Sequence, residues 1–132
     1  MEETQKLIGT KGELIAQKEY KKRGYKIVGA NVFNRTGKRA GEIDFIALAK
    51  DHIVFVEVKT RSKSIDRFGG ARQAVDIYKQ RKLRKIVQLF LLKHPQFRNL
   101  RPQIDVCLVE SLGLDKNEFS VTIIPNTVMD DR

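Results

Sequence analysis

Two runs rich in Ile, Val and Phe, GEIDFIALA (41–49) and HIVFVEVKT (52–60), are separated only by Lys50 and Asp51. No other feature limits the fold of the chain so tightly. β-branched and aromatic residues in such runs favour strands. So short a connection permits only an antiparallel hairpin. Both faces of the hairpin are apolar. Ile46, Leu48, Ile53 and Phe55 fall on one, and Ile43, Phe45, Ala47, Val54, Val56 and Val58 on the other. Strands of this kind lie inside a sheet that is covered on both sides.

A charge in such a strand is costly unless it is paired or binds a metal. Yet Asp44, Glu57 and Lys59 interrupt these two runs. A two-residue loop pairs Ala49 with His52, and a four-residue loop pairs Leu48 with Ile53. Both give one register, which sets Asp44 opposite Glu57 and Glu42 opposite Lys59. A loop of odd length would bring polar and apolar positions onto the same face. Directly opposed Cβ atoms are about 5 Å apart, so two facing carboxylates repel. Protons shared between the acids, or neutralisation by Lys59 and nearby arginines, would relieve that repulsion. A divalent cation would do so as well, because Mg²⁺ takes one or two carboxylates and keeps waters for substrate phosphates. Lys59, two residues from Glu57, points to the same side. A covered strand, an opposed acid pair and a lysine beside it together point to Asp44 and Glu57 as ligands of Mg²⁺ or Mn²⁺.

The rest of the chain reads as elements that enclose this hairpin. Residues 4–22 favour a helix that stops at Gly24. Gly9, Glu13, Ala16 and Tyr20 are spaced along one side of it, which suggests that Glu13 faces the sheet. Residues 25–33 read as a strand. A helix is expected from about 70 to 93, with a break near Ile77 and an apolar stripe of Leu83, Val87, Phe90 and Leu91. Residues 103–110 and 118–124 read as two late strands. The order αβββαββ implies a single α/β domain over residues 1–132, a central mixed β-sheet with flanking helices.

Twenty-six Lys and Arg against sixteen Asp and Glu leave a net charge of +10, which favours polyanionic partners. Nucleic acid comes first among these; a ribosome-associated fold or an anionic membrane surface would account for the same charge. Arg61, Lys63, Arg67 and Arg72 follow the second strand of the hairpin, and Lys79, Lys82 and Lys85 lie on the second helix. These seven are the expected phosphate contacts. The polar N-terminus lacks the layout of a signal peptide, and apolar runs such as LFLL (89–92) fall far short of the about 20 residues that span a bilayer. The expectation is a cytoplasmic protein with no membrane partner. Cys107, the only cysteine, sits in IDVCLV and reads as core. His52 and His94 lack the spacing of a zinc pair. Asp105 is a further acid among apolar residues, expected to pair with a base.

The stretch from Gly41 to Arg61, GEIDFIALAKDHIVFVEVKTR, resembles the PD-(D/E)xK nuclease superfamily. GEIDFIA, VFVEVKTR, the helical KGELIA, FGGARQAV, QIDVCLVE and the closing IIPN resemble the YraN family of predicted endonucleases, similar to archaeal Holliday-junction resolvases. The resemblance covers nearly the whole chain. It implies a restriction-endonuclease-like fold and cleavage of phosphodiester bonds in nucleic acid, DNA in particular, including branched forms. It implies metal ligation by Asp44 and Glu57, completed by Glu13 on the first helix, and a Lys59 that activates water and stabilises the transition state. Ile43 stands where many members have proline, and Gln103-Ile104 where many have Arg-Phe. Resolvase-like nucleases work as dimers, so a homodimer is a further expectation, although the residues themselves mark no dimer face. Two other functions fit the composition: a catalytically silent nucleic-acid-binding module, and a basic assembly protein docking on RNA or an acidic partner.

Overall fold

The computed structural model of the chain describes residues 2–30, 43–62, 77–112 and 118–125. Helix α1 spans Glu2–Lys22. It closes in a Schellman turn: the Tyr25 amide donates to the Tyr20 carbonyl and the Gly24 amide to that of Lys21, each at 3.0 Å. That turn needs a left-handed residue, and Gly24 supplies it with φ 96°. Strands β1 (Lys26–Ala30), β2 (Phe45–Leu48) and β3 (His52–Ser62) follow, then α2 (Ile77–Lys93), a 3₁₀ turn (Pro95–Phe97), β4 (Arg101–Ser111) and β5 (Phe119–Ile124). The sheet runs β1-β2-β3-β4-β5 in space. All of its pairs are antiparallel except β3–β4, which is parallel and unbroken from His52↔Arg101 to Ser62↔Ser111. A parallel pair needs a crossover, and α2 provides it.

The helices cover opposite faces. Ala16 and Tyr20 of α1 pack with Phe45, Ala47, Val54, Val56, Cys107 and Val109. Leu83, Val87 and Phe90 of α2 pack with Ile46, Ile53, Phe55 and Ile104. The expected αβββαββ order and mixed sheet are therefore observed, in a single-domain α/β arrangement consistent with a restriction-endonuclease-like fold. The hairpin register is also as expected, with Leu48↔Ile53, Ala47↔Val54, Ile46↔Phe55 and Phe45↔Val56.

Three details differ from the sequence reading. The ladder of β2 begins at Phe45, and the amide of Asp44 donates to the Val56 carbonyl at 2.9 Å, one position out of step. The strict alternation breaks there, so Ile43 joins Ile46 and Phe55 in the cluster beneath α2 instead of following Phe45. The sheet-facing side of α1 runs through Gly12, Ala16 and Tyr20, all buried, while Glu13 is half-buried. A Cβ at Gly12 would collide with the Thr60 hydroxyl of β3, so the absent side chain lets the helix settle on the sheet. Segments 31–33, 41–42 and 70–76 of the expected elements lie outside the described residues.

Candidate active site

Asp44 and Glu57 lie at the same end of the hairpin, and the expected opposition of the two falls just beyond the last ladder pair, Phe45↔Val56. Both are buried, at 9% and 4% exposure, among Ile, Val and Phe. The Asp44 carboxylate turns back on its own hairpin, and its Oδ2 accepts the Val58 amide at 2.7 Å. That bond does the work of the ladder bond lost where the strand slips, and it anchors the carboxylate next to β3. On β3 itself, Glu57, Lys59 and Arg61 alternate onto one side, in line with Ile53 and Phe55. Lys59 Nζ reaches Glu57 Oε2 at 3.3 Å. The other oxygen, Oε1, is buried and accepts no hydrogen bond among the described residues.

This donor set suits a small hard cation. Two carboxylates offer oxygen ligands to Mg²⁺ or Mn²⁺, with coordination positions left for water or phosphate. Among the described residues, no group of three His, Cys, Asp or Glu side chains forms that could hold a metal ion. Glu13 is therefore not gathered with Asp44 and Glu57 into a three-ligand set. It sits on α1, which packs on the face of the sheet opposite to Glu57, next to the Gly12–Thr60 contact.

The basic candidates divide in the same way. Arg61 is half-buried on the side of Glu57 and Lys59, whereas Lys82 and Lys85 are exposed on α2. Phe90 meets Phe55 edge-on at 5.5 Å between ring centroids, which places the end of α2 over the first half of β3. The start of the helix therefore lies toward Lys59 and Arg61. Lys85 and Lys82 stand between Phe90 and that start, about one and two helical turns from Phe90. Lys63, Arg67 and Arg72, and the side chain of Lys79, lie outside the described residues, as does Glu42.

Sequence reasoning singled out Asp105 as a second acid among apolar residues but did not find its partners Tyr20 and Gln103. Asp105 is only 2% exposed. It accepts the Tyr20 hydroxyl at 2.5 Å and the Gln103 amide at 2.8 Å. A phenol and a carboxamide thus bind it. Burial, and then the nearby Asp105 carboxylate, raise the Tyr20 phenol far above its ordinary range. Tyr20 and Asp105 are 85 residues apart, so no local pattern announces the pair. Cys107 is core, as expected, and burial pushes its thiol up to about 12, which removes it as a nucleophile near neutral pH. His52 bridges Asp51 at 2.8 Å and the Tyr25 hydroxyl at 3.2 Å. His94 stacks on Phe90 with centroids 4.0 Å apart, its Nδ1 donating to the Phe90 carbonyl at 2.9 Å. Both histidines are structural in this arrangement. Among the described residues, no helix is long and apolar enough to cross a membrane.

Fold and site define an α/β protein with two carboxylates and a lysine at one end of a central hairpin. A family model described as "Uncharacterised protein family UPF0102" matches residues 12–109, and the chain belongs to that family, which is YraN-like. A UPF0102 protein of Caldanaerobacter subterraneus subsp. tengcongensis is 43% identical over 115 residues, covering 84% of this chain and 88% of the relative. One of Acetivibrio thermocellus is 38% identical over 120 residues, covering 89% and 88%. Another, of Clostridium botulinum, is 37% identical over 119 residues, covering 90% and 91%.

Proposed function

We propose that the protein is a metal-dependent endonuclease of the PD-(D/E)xK type that hydrolyses phosphodiester bonds in nucleic acid. One observation carries this reading: Asp44, its carboxylate held by the Val58 amide, and Glu57 are both buried at one end of the hairpin, with the Lys59 ammonium on the Glu57 carboxylate. Buried like charges are costly, and clusters of this kind concentrate where chemistry is done. A divalent cation held there supplies Lewis-acid stabilisation of the negative charge that builds on the phosphoryl oxygens.

Every other role falls to the chain. Asp44, fixed by the Val58 amide, and Glu57 present the oxygen ligands. Lys59 lies within reach of the same position, where its ammonium orients the attacking water and neutralises charge in the transition state. Arg61 continues the row toward the substrate, and Lys82 and Lys85 take backbone phosphates. DNA is the proposed substrate, branched or otherwise structured.

The alternatives are a silent binding module and an assembly protein. Both use the basic surface, but neither needs the acid pair. Cleavage of branched, single-stranded and duplex substrates with and without Mg²⁺, by the wild type and by Asp44→Ala, separates the three. The expected result is magnesium-dependent cleavage that Asp44→Ala abolishes while still binding nucleic acid. Binding without cleavage by the wild type favours the silent module, and absence of both favours the assembly role.

A further inference from the structure

The two edges of the sheet are built differently. Edge strands expose unpaired N–H and C=O groups, and proteins blunt them with bulges, charges, glycine or proline. β1 has such devices. Its register with β2 shifts between Ile27 and Gly29, Lys26 stands at its start, and it is five residues long. β5 has none of them. Its sequence, FSVTII, contains no charge, glycine or proline, and its register with β4 is unbroken from Val106↔Ile124 to Ser111↔Phe119. β5 itself contributes no charge to this edge, and the Lys11 ammonium of α1 lies 5.5 Å from the Phe119 ring centroid.

Among the described residues, the geometry shows which groups β5 leaves open. The Leu112 amide donates to the Glu118 carbonyl at 2.9 Å, one position beyond the ladder. Hydrogen-bonded pairs alternate along an antiparallel ladder, so the N–H and C=O of Ser120, Thr122 and Ile124 turn toward β4. Those of Phe119, Val121 and Ile123 turn outward. These three also carry the side chains that pack on the face beneath α1.

We propose that β5 docks against β5 of a second copy, antiparallel, about a two-fold axis through Val121. In that register Val121 meets its own counterpart and Phe119 meets Ile123, so every outward N–H and C=O of the three residues finds a partner. On one face the aromatic and β-branched side chains lie opposite each other. On the other, Ser120 lies opposite Thr122, and hydroxyl pairs of this kind stabilise sheets. Shifting the axis to Thr122 would set Phe119 against Pro125, which has no N–H to give. The pattern thus complements itself, which selects a second copy of the chain over an unrelated strand. The two sheets merge into one, with two equivalent Asp44–Glu57 sites related by the axis.

Sedimentation velocity over about 1–100 μM tests this without nucleic acid or metal, so its outcome is independent of the proposed activity. A single strand pair is smaller than the roughly 1,000 Å² of a stable interface, so association in the micromolar range is expected. The wild type should sediment as a dimer of the 15.2 kDa chain at the upper concentrations. Val121→Pro removes an outward N–H and replaces one partly buried side chain beneath α1 by another apolar one, and edge strands tolerate proline at such positions. It should remain monomeric throughout, with an unchanged far-ultraviolet circular dichroism spectrum. Should that variant fail to fold, Thr122→Lys, at an exposed position, adds a charge on each side of the axis and should weaken association at least ten-fold. A wild type that stays monomeric at 100 μM, or a folded variant that dimerises as the wild type does, overturns the proposal.

Discussion

Glu57 and Asp105 are buried acids in neighbouring central strands, at 4% and 2% exposure, and they are held in different ways. Asp105 lies beneath α1 and accepts a phenol and a carboxamide, each anchored in the core or the sheet. Glu57 faces the other side, meets the ammonium of a partly exposed lysine, and lies next to Val58, whose amide holds the Asp44 carboxylate. The phenol and the carboxamide fix the Asp105 carboxylate in place through directed hydrogen bonds. A lysine and a neighbouring acid make an electrostatic balance that a cation or a phosphate can shift. Burial alone therefore does not mark a site. The kind of partner, and whether it can exchange, does.

The sharpest way to break this contrast is at Lys59. If the ammonium serves the transition state, Lys59→Met should retain folding and nucleic-acid binding while single-turnover cleavage in Mn²⁺ falls by about two orders of magnitude or more. Affinity measured in Ca²⁺ provides the control. Equal cleavage rates would make the Lys59–Glu57 pair as structural as the Asp105 cluster.

Stability should separate the two acids next. Asp105→Ala strands the Tyr20 hydroxyl in the core, and denaturant unfolding should show a loss of about 3 kcal/mol. Glu57→Gln removes one of two buried acids at the same end of the hairpin, so without metal its stability should stay within about 1 kcal/mol of the wild type or rise. The rise in melting temperature caused by Mg²⁺ should shrink in the same variant. Similar losses in both variants, or an undiminished metal effect in Glu57→Gln, would erase the distinction.

A smaller effect lies at alkaline pH. The Tyr20 phenol is raised above its ordinary 10.0 in the folded chain. Its contribution is then fully present below about pH 10 and declines above it, as the unfolded chain ionises and the folded one does not. The slope from one such group is about 1.4 kcal/mol per pH unit. Tyr20→Phe should be less stable at neutral pH yet lose stability less steeply above pH 10, measured by denaturant unfolding across that range. Identical slopes would mean that the phenol of the wild type ionises normally in the fold.

Much of this arrangement was legible in the chain. A two-residue connection and the two-sided apolar pattern fix the hairpin register from Leu48↔Ile53 to Phe45↔Val56, and alternation along β3 sets Lys59 on the side of Glu57. What escaped has physical causes. The slip at Asp44 depends on one backbone hydrogen bond, to Val56, and no residue type demands it. The Tyr20–Asp105 bond joins an early helix to a late strand, beyond any periodicity. The open edge at β5 follows from strand order in space, and the segment FSVTII would look the same in the middle of a sheet. Glu13 was placed toward the sheet by spacing, whereas the helix contacts the sheet through Gly12, Ala16 and Tyr20.

The contact of Gly12 with Thr60 bears on how variation in this protein should be interpreted. Glycine is a poor helix residue, and replacing one by alanine inside a helix normally gains about 1 kcal/mol. Here the added methyl would force Thr60 to turn away or the whole helix to lift from β3. A survey of tolerated substitutions would therefore group Gly12 with Asp44 and Glu57 as a position that resists change, although it has no side chain to take part in any reaction. The intolerance would report the distance between two backbones, and a search for catalytic groups guided by such a survey would stop at an atom that the fold requires to be missing.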